Sequence, residues 1–537
     1  MVAAPQRLWW RPATGVLAAV LLLAIGLRLP ALAEPIGVDQ GIFATFAMAL
    51  RDGLAPYRDV WDQKPPGIHL LYLAAITIGG ASAHSIFWLD FTGWAATALF
   101  IGLLARRLSG NGAAGWVIGT YALLSLPYIR YGYGGFLERA VPEVFINACV
   151  AGAACLLAAA DGRVWRAMAA GGAIGAAAVL KPWALALWPS VVLGAKPDAN
   201  VPARLRLLAA AVPGLLAVPL ALWVWLWSAD ALGEAWTAIV DYNRAYLARG
   251  PGMLVFADRF VHHVWWLTKT DPLWMLGVAG ALNGGIRAVR SRRLDPVWVV
   301  GVAWLSLAVL AAAGSGIRLF TTYFIPCQPP LALLAGSCLL AAPPGGRQRA
   351  DVTVALAMAV VVGARTLYLD LPGRVANPLM ADVAALRVAE GSPAHLAYLE
   401  RFGSYNAGRG YSARANWELA EYVRRTTARS DRCYIFGMAP AVYVDSDRLP
   451  ANRFLFVWAA LAGLVKHPGF SIDELAADLE AAKPALIIME QHNNDSLSGG
   501  RSEERFAQPP MQHVLRNYQV DKTIEDFTVY RRLPAVH

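Results

Sequence analysis

Charge is scarce in this sequence. Only 16% of its 537 residues are Asp, Glu, Lys or Arg, 57% are hydrophobic, and the mean hydropathy is +0.44. Soluble domains carry about 25% charged residues, so an ordinary soluble class is excluded and a polytopic membrane protein is expected. A net charge of +10 could suggest nucleic acid as a partner, but the basic residues stand in small groups between apolar runs and read as topology signals instead. Cysteine is sparse too. Cys149, Cys155, Cys327 and Cys338 fall in apolar segments with no Cys-x-x-Cys or Cys/His ligand spacing, and Cys433 is alone in the polar C-terminal third. That excludes a disulfide within the C-terminal third and supplies no metal site. The membrane part has no internal repeat and the chain no low-complexity segment, which argues against transporters built from duplicated halves.

What is present is a succession of apolar runs. A helix needs about 20 apolar residues to cross a bilayer, fewer where it is broken or buried among others. On that measure eleven spans are expected, near 12–30, 86–105, 112–129, 141–160, 166–180, 182–194, 207–228, 271–286, 296–313, 320–341 and 351–369. The run Ile68 to Gly80 is too short to cross alone and is expected at the outer interface. Arg7 and Arg11, an apolar stretch and Ala31-Leu32-Ala33 imitate a secretory signal with its cleavage site. Arg28 interrupts the stretch just before that site, and an uncleaved first span is expected. Short cytoplasmic loops collect Lys and Arg. Alternate connections do so: Arg7/Arg11, Arg106/Arg107, Arg163/Arg166, Lys196/Arg204/Arg206, Arg287/Arg290/Arg292/Arg293 and Arg347/Arg349. Eleven crossings place the N-terminus inside and everything after about residue 370 outside. From about 372 the composition turns soluble, with helical patterns at Ala413–Arg429 and Ile472–Ala482 and strand-like runs at Cys433–Phe436, Ala485–Met489 and Phe527–Tyr530. Alternating helices and strands predict a small α/β unit.

Ionisable residues concentrate between the first span and Ile68: Asp39, Arg51, Asp52, Arg58, Asp59, Asp62 and Lys64. Charges at a membrane face are expensive to hold near hydrocarbon, so such a cluster commonly lines a cavity or reaction site, a solvated loop being the alternative. The order is Asp39-Gln40-Gly41, an amphipathic run with Phe43, Phe46, Ala47 and Leu50 on one face, Pro56-Tyr57-Arg58-Asp59, then Trp61-Asp62-Gln63-Lys64-Pro65-Pro66-Gly67. This order resembles the first external loop of the GT-C membrane glycosyltransferases, the group holding the protein O-mannosyltransferases and the aminoarabinose transferases of lipid A.

The resemblance implies roles. Asp39 would be the catalytic base; helix N-capping is its structural alternative. The family commonly has Asp-Glu there, and Gln40 removes the second carboxylate, which disfavours a metal-dependent variant; no cofactor and no metal site is expected. Prolines 65 and 66 stiffen the backbone after Lys64, whose ammonium would meet the donor phosphate, with Tyr57 and Arg58 beside it; snorkelling to headgroups is the alternative. Arg130, Glu138, Arg139 and Glu143 border the second external loop, and Glu143, at the start of a span, is either a site carboxylate or an interfacial one. Lys181-Pro182 resembles a further Lys-Pro of the family and serves either phosphate binding or a kink. Arg259 to Trp266 resembles the His and paired-aromatic segment of aminoarabinose-type transferases, which carries over His263; two His without a third ligand make a poor zinc site. Thr322-Tyr323-Phe324 resembles a His-Tyr segment, of which only Tyr323 is kept.

The fold implied is an all-α polytopic membrane domain of GT-C type, about 11 transmembrane helices over 1–371 with a catalytic external loop at 31–85, and a small extracytoplasmic α/β domain over 372–537. The implied reaction moves a sugar, with inversion, from a polyprenyl-phosphate donor to an envelope glycan, lipid or protein on the outer face of a bacterial inner membrane. A transporter or lipid flippase is the alternative, and would want ionisable groups and broken helices at mid-bilayer, whereas here charge gathers at span ends. A non-catalytic assembly protein with a partner-binding C-terminal domain is the third.

Overall fold

The computed structural model describes residues 11–126, 128, 137, 139–161, 163–195, 201–315, 319–341, 349–403, 410–491 and 501–534. Arg7, Arg130, Glu138, Lys196 and Arg347 of the sequence reading lie outside them.

The chain is mostly helical. Its first part runs through α1 (Arg11–Arg28), α2 (Val38–Arg51), α3 (Gly67–Gly79), α4 (Ala83–Ser109), α5 (Asn111–Leu124), α6 (Pro142–Ala158) and α7 (Val164–Leu180). Among the described residues, five helical segments are long and apolar enough to cross a bilayer by length and composition: Gly15–Ala33, Ala83–Ser109, Val201–Ser228, Pro296–Gly314 and Thr321–Leu340. A sixth span would be the pair Leu356–Tyr368 and Leu371–Ala385, bent by 58°. Of the other expected crossings, four are shorter apolar helices, Gly112–Leu124, Pro142–Ala158, Val164–Leu180 and Pro182–Val192. The helix expected at 271–286 is Pro272–Ser291, whose end carries Arg287 and Arg290. Length and composition alone thus support five or six spans among the described residues and do not confirm eleven.

α2 departs from its amphipathic pattern, since every residue from Gln40 to Ala49 is buried. A helix buried all round needs neighbours on every side. α3 supplies one, and the C-terminal part of the chain supplies the other. Gly41 makes that second contact possible: a Cβ there would stand 2.5 Å from the backbone nitrogen of Ala441, and Thr45 Oγ1 donates to the Pro440 carbonyl at 3.2 Å. The loop after α2 is keyed in the same way. Trp61 is wholly buried, its backbone N–H donates to the Arg453 carbonyl at 2.8 Å, and its ring packs on Tyr242 and Phe454. Truncating such a side chain costs about 3–5 kcal/mol.

The C-terminal part holds a four-stranded sheet in the order β1-β2-β4-β3, from β1 (Cys433–Phe436), β2 (Leu486–Glu490), β3 (Tyr518–Ile524) and β4 (Phe527–Arg532). β1 runs parallel to β2, and β4 is antiparallel to both β2 and β3. Period-two alternation sends Cys433, Ile435, Leu486, Ile488, Phe527 and Val529 to a core under the helix Ala413–Thr426. Tyr434, Phe436, Ile487 and Met489 face the larger core on the other side. The parallel pair β1 and β2 is thus buried on both faces, as parallel strands require. The three expected strands and both expected helices are present, but β3 was not expected. It is an edge strand exposed from Gln519 to Thr523, and its Asp, Lys and Thr carry no apolar alternation to read.

Candidate active site

Gln40 closes the start of α2: its Oε1 accepts from Gly37 N–H at 2.9 Å, and its Nε2 donates to the Arg139 carbonyl at 3.1 Å. Capping, the alternative role for Asp39, falls to its neighbour. Asp39 sits in the first turn and lines a cavity of about 620 Å³. Arg139 fixes the floor beside it. Its guanidinium, 2% exposed, donates to the carbonyls of Ala31 at 2.6 Å and Pro35 at 3.1 Å and faces the Glu34 carboxylate at 3.4 Å. The next residue, Ala140, donates its N–H to Asp90 Oδ1 at 2.7 Å and accepts from the Tyr72 hydroxyl at 3.2 Å. Pro142 then starts α6, which puts Glu143 into the same cavity as Asp39.

Lys64 enters that cavity from the loop. Its backbone is tied down, because the Tyr57 hydroxyl donates to the Lys64 carbonyl and Asn243 Nδ2 to the Gln63 carbonyl, each at 2.8 Å. Its ammonium lies over the Phe43 ring, 5.4 Å from the centroid. Burial works against the charge on Lys64, but the carboxylates of Asp39 and Asp62 outweigh it and raise the lysine above its ordinary value. Burial likewise works against charge on Asp62, and the Lys64 ammonium and His69 hold it below the usual carboxylate range. Both groups stay ionised at neutral pH.

Gly67 explains why the motif ends as it does. α3 begins there, pressed so closely to the end of α7 that a Cβ would stand 2.5 Å from the Val179 carbonyl oxygen. One residue past Leu180, Lys181 leaves the helix in an extended conformation, as the residue before Pro182 should. Its Nζ reaches Glu143 Oε1 at 2.5 Å and lies 4.9 Å from the Tyr323 ring centroid. Two lysine–proline elements 117 positions apart in sequence thus line one cavity.

Asp39, Lys64, Glu143, Lys181 and Tyr323 line this one cavity. The other expected residues stand apart. Tyr57 is wholly buried behind Lys64, with its backbone in the left-handed region at φ 62°. Arg58 is exposed and pairs with Asp59 at 3.0 Å, while His263 stacks on Phe324 at 4.9 Å behind the Tyr323 wall. The sequence reading missed the roof. Met438, Phe456 and Trp458 reach the cavity from the C-terminal part, and Tyr242, Asn243 and Tyr246 from the helical stretch between Leu232 and Ala248. The part Thr237–Tyr242 of that stretch is π-helical, a form frequent at functional sites. Asp62 was legible in the motif but was given no role. Among the described residues no group of three or more His, Cys, Asp or Glu stands in metal-holding geometry.

No family model and no curated protein matches this chain. Solved structures do. ArnT from Cupriavidus metallidurans bound to undecaprenyl phosphate superposes with a TM-score of 0.60 at 15% identity, over 98% of this chain and 98% of its own. The apo state of the same protein gives 0.59 at 17%, over 97% and 98%. The chain has the GT-C fold. The likeness is one of architecture, and its coverage takes in the sheet-bearing C-terminal part as well as the helices.

Proposed function

We propose that this protein is an integral-membrane glycosyltransferase that moves a sugar from a polyprenyl-phosphate donor to an acceptor hydroxyl. The observation that carries this reading is the meeting, in one roofed cavity, of a carboxylate at a helix start with two lysines whose backbones are braced by the prolines that follow them. The full-length fold likeness to a protein solved with undecaprenyl phosphate supports it.

In the proposed step Asp39 takes the proton of the acceptor hydroxyl. The acceptor oxygen attacks C1 of the sugar from the face opposite the phosphate, so the product is inverted. The bond from C1 to the phosphate oxygen breaks, and its electron pair leaves with the polyprenyl phosphate, whose growing charge Lys64 and Lys181 neutralise. Glu143 holds Lys181 until the donor phosphate takes its place. Tyr323 braces Lys181 from below, and Tyr57 acts through the Lys64 carbonyl rather than on the donor. Arg58 and His263 have no contact with the reacting atoms in this scheme. The eleven-span topology, with residues 1–371 in a bacterial inner membrane and 372–537 outside, puts this cavity on the outer face, where glycan, lipid or protein acceptors are met.

The test is a transferase assay in membranes with and without the protein, using radiolabelled polyprenyl-phosphate sugars. Protein-dependent label in a glycan, lipid or protein product supports the reading. Label that crosses the bilayer of sealed vesicles while still lipid-linked, with no transfer, would establish the flippase instead.

A further inference from the structure

One pair of buried ionisable groups has no task in that reaction. Asp62 lines the cavity, and its Oδ2 stands 3.0 Å from His69 Nε2. Neither side chain is more than 1% exposed. His69 lies in the first turn of α3 and is sandwiched by α2, stacked on Phe46 at 3.8 Å and edge-on to Phe43 at 5.7 Å. Its Nδ1 is buried with no hydrogen-bond partner among the described residues. An ionised carboxylate only accepts, so Nε2–H donates to Asp62. Phe43, the ring beside His69, is also the ring beneath the Lys64 ammonium. Asp62 therefore accepts from the imidazole on α3 and also feels the charge of the Lys64 ammonium two residues along the chain.

We infer that His69 is a positioning residue for Lys64: by binding Asp62 it holds that carboxylate away from the ammonium and leaves the ammonium open to a phosphate. The inference rests on the reading of Lys64 as the phosphate ligand. A buried carboxylate stripped of its donor is costly and takes the next cation in reach. That cation is Lys64, so loss of the imidazole turns Asp62 into an intramolecular competitor of the lipid phosphate. Asp39 and Glu143 also face the cavity, but neither is bound to His69, and the change at position 69 acts through Asp62 alone.

The experiment measures binding of undecaprenyl phosphate, with undecaprenol as the phosphate-free control, to the purified full-length chain in detergent. His69→Leu has nearly the volume of the imidazole and no polar atom. It should raise the Kd for undecaprenyl phosphate about tenfold, as for one lost charge-assisted contact, and leave undecaprenol binding unchanged. His69→Gln, which keeps an N–H donor at similar reach, should stay within about threefold of the parent. Adding Asp62→Asn to His69→Leu should recover most of the loss, because the competitor has been removed. Lys64→Ala calibrates the assay with a rise of about 10²-fold. If Lys64→Ala weakens binding and His69→Leu does not, the inference is overturned and the proposed function stands. If neither weakens it, the phosphate role of Lys64 falls as well. A double variant as weak as His69→Leu, or equal losses for undecaprenol, would make His69 a packing residue and overturn the inference. Should His69→Leu not be recovered as a monodisperse protein, His69→Met takes its place under the same criteria.

Discussion

A single methyl group at Gly67 tests whether the two lysine–proline elements work as one unit. In Gly67→Ala the new Cβ would stand 2.5 Å from Val179 O, 2.8 Å from Val179 C and 3.1 Å from Leu180 N. All three are backbone atoms and none can swing aside as a side chain tip would. Carbon contacts settle near 3.5–4.0 Å, so the start of α3 and the end of α7 must part by about 1 Å. Overpacking of this kind costs about 1–3 kcal/mol, and alanine's better helix propensity returns up to about 1 kcal/mol. The net loss of stability is therefore modest, about 0–3 kcal/mol on those figures. The effect on activity should be larger. Lys64 is three residues before Gly67 and Lys181 two residues after Val179, so the separation moves the two ammoniums relative to each other. A displacement of about 1 Å in a positioned group can cost about 10² in rate. The assay is initial transfer from a radiolabelled polyprenyl-phosphate sugar at matched expression, alongside thermal unfolding in detergent. Parental rate together with parental stability would refute the argument that the glycine sets the spacing of the lysines.

Asp39→Asn keeps the shape of the side chain and leaves the Gln40 cap intact, so insertion and folding should be unchanged while transfer falls by about 10² or more; near-parental turnover would remove Asp39 from the reaction. For the pair at the far wall, Lys181→Ala should raise the donor KM by about tenfold or more, whereas Glu143→Gln should leave it level or lower it, because it weakens the grip that the donor phosphate must displace. A rise in KM of the same size in both variants would mean that the ion pair is structural. On topology, reporters fused after Arg107 and Arg293 should read cytoplasm and those after Lys64 and Arg414 the outside; a cytoplasmic signal after Arg414 would break the eleven-span arrangement.

The parts of this protein that were legible in its sequence are those where one short segment carries its own chemistry. Lys64-Pro65-Pro66-Gly67 and Lys181-Pro182 stand out because proline has few reasons to recur beside lysine near a span end, and the strands Cys433–Phe436 and Leu486–Glu490 because both are short apolar runs between polar ones. Helix lengths were less legible. α5, α6 and α7 are shorter than a bilayer requires by composition, and apolar runs without charge do not show where a helix stops. The roof could not be read at all. Phe456 and Trp458 reach the cavity nearly 400 residues after Lys64, and buried aromatics in a soluble-looking segment read as ordinary core. His69 was hidden for the opposite reason, since a lone histidine in an apolar helix has no pattern, and only the turn after Gly67 brings it back onto Asp62.

The charges facing the cavity bear on the order of events. Among the described residues, three carboxylates, Asp39, Asp62 and Glu143, face two ammoniums, Lys64 and Lys181. An arriving phosphate adds negative charge to a site that already has an excess of it, so some carboxylate must give way. Asp62 is held by His69 and does not move. In the proposed reaction Glu143, paired with Lys181, yields it to the phosphate. Asp39 neither caps its helix nor is replaced at Lys64 by another anion of the protein, and it is left beside a newly bound phosphate. In the proposed reaction the phosphate takes over the Lys64 ammonium that Asp39 faces, and Asp39 is left free to receive the acceptor's proton. On the proposed reaction, donor binding therefore precedes activation of the acceptor, and a hydroxyl that enters an empty cavity meets a carboxylate whose charge is still spent on Lys64.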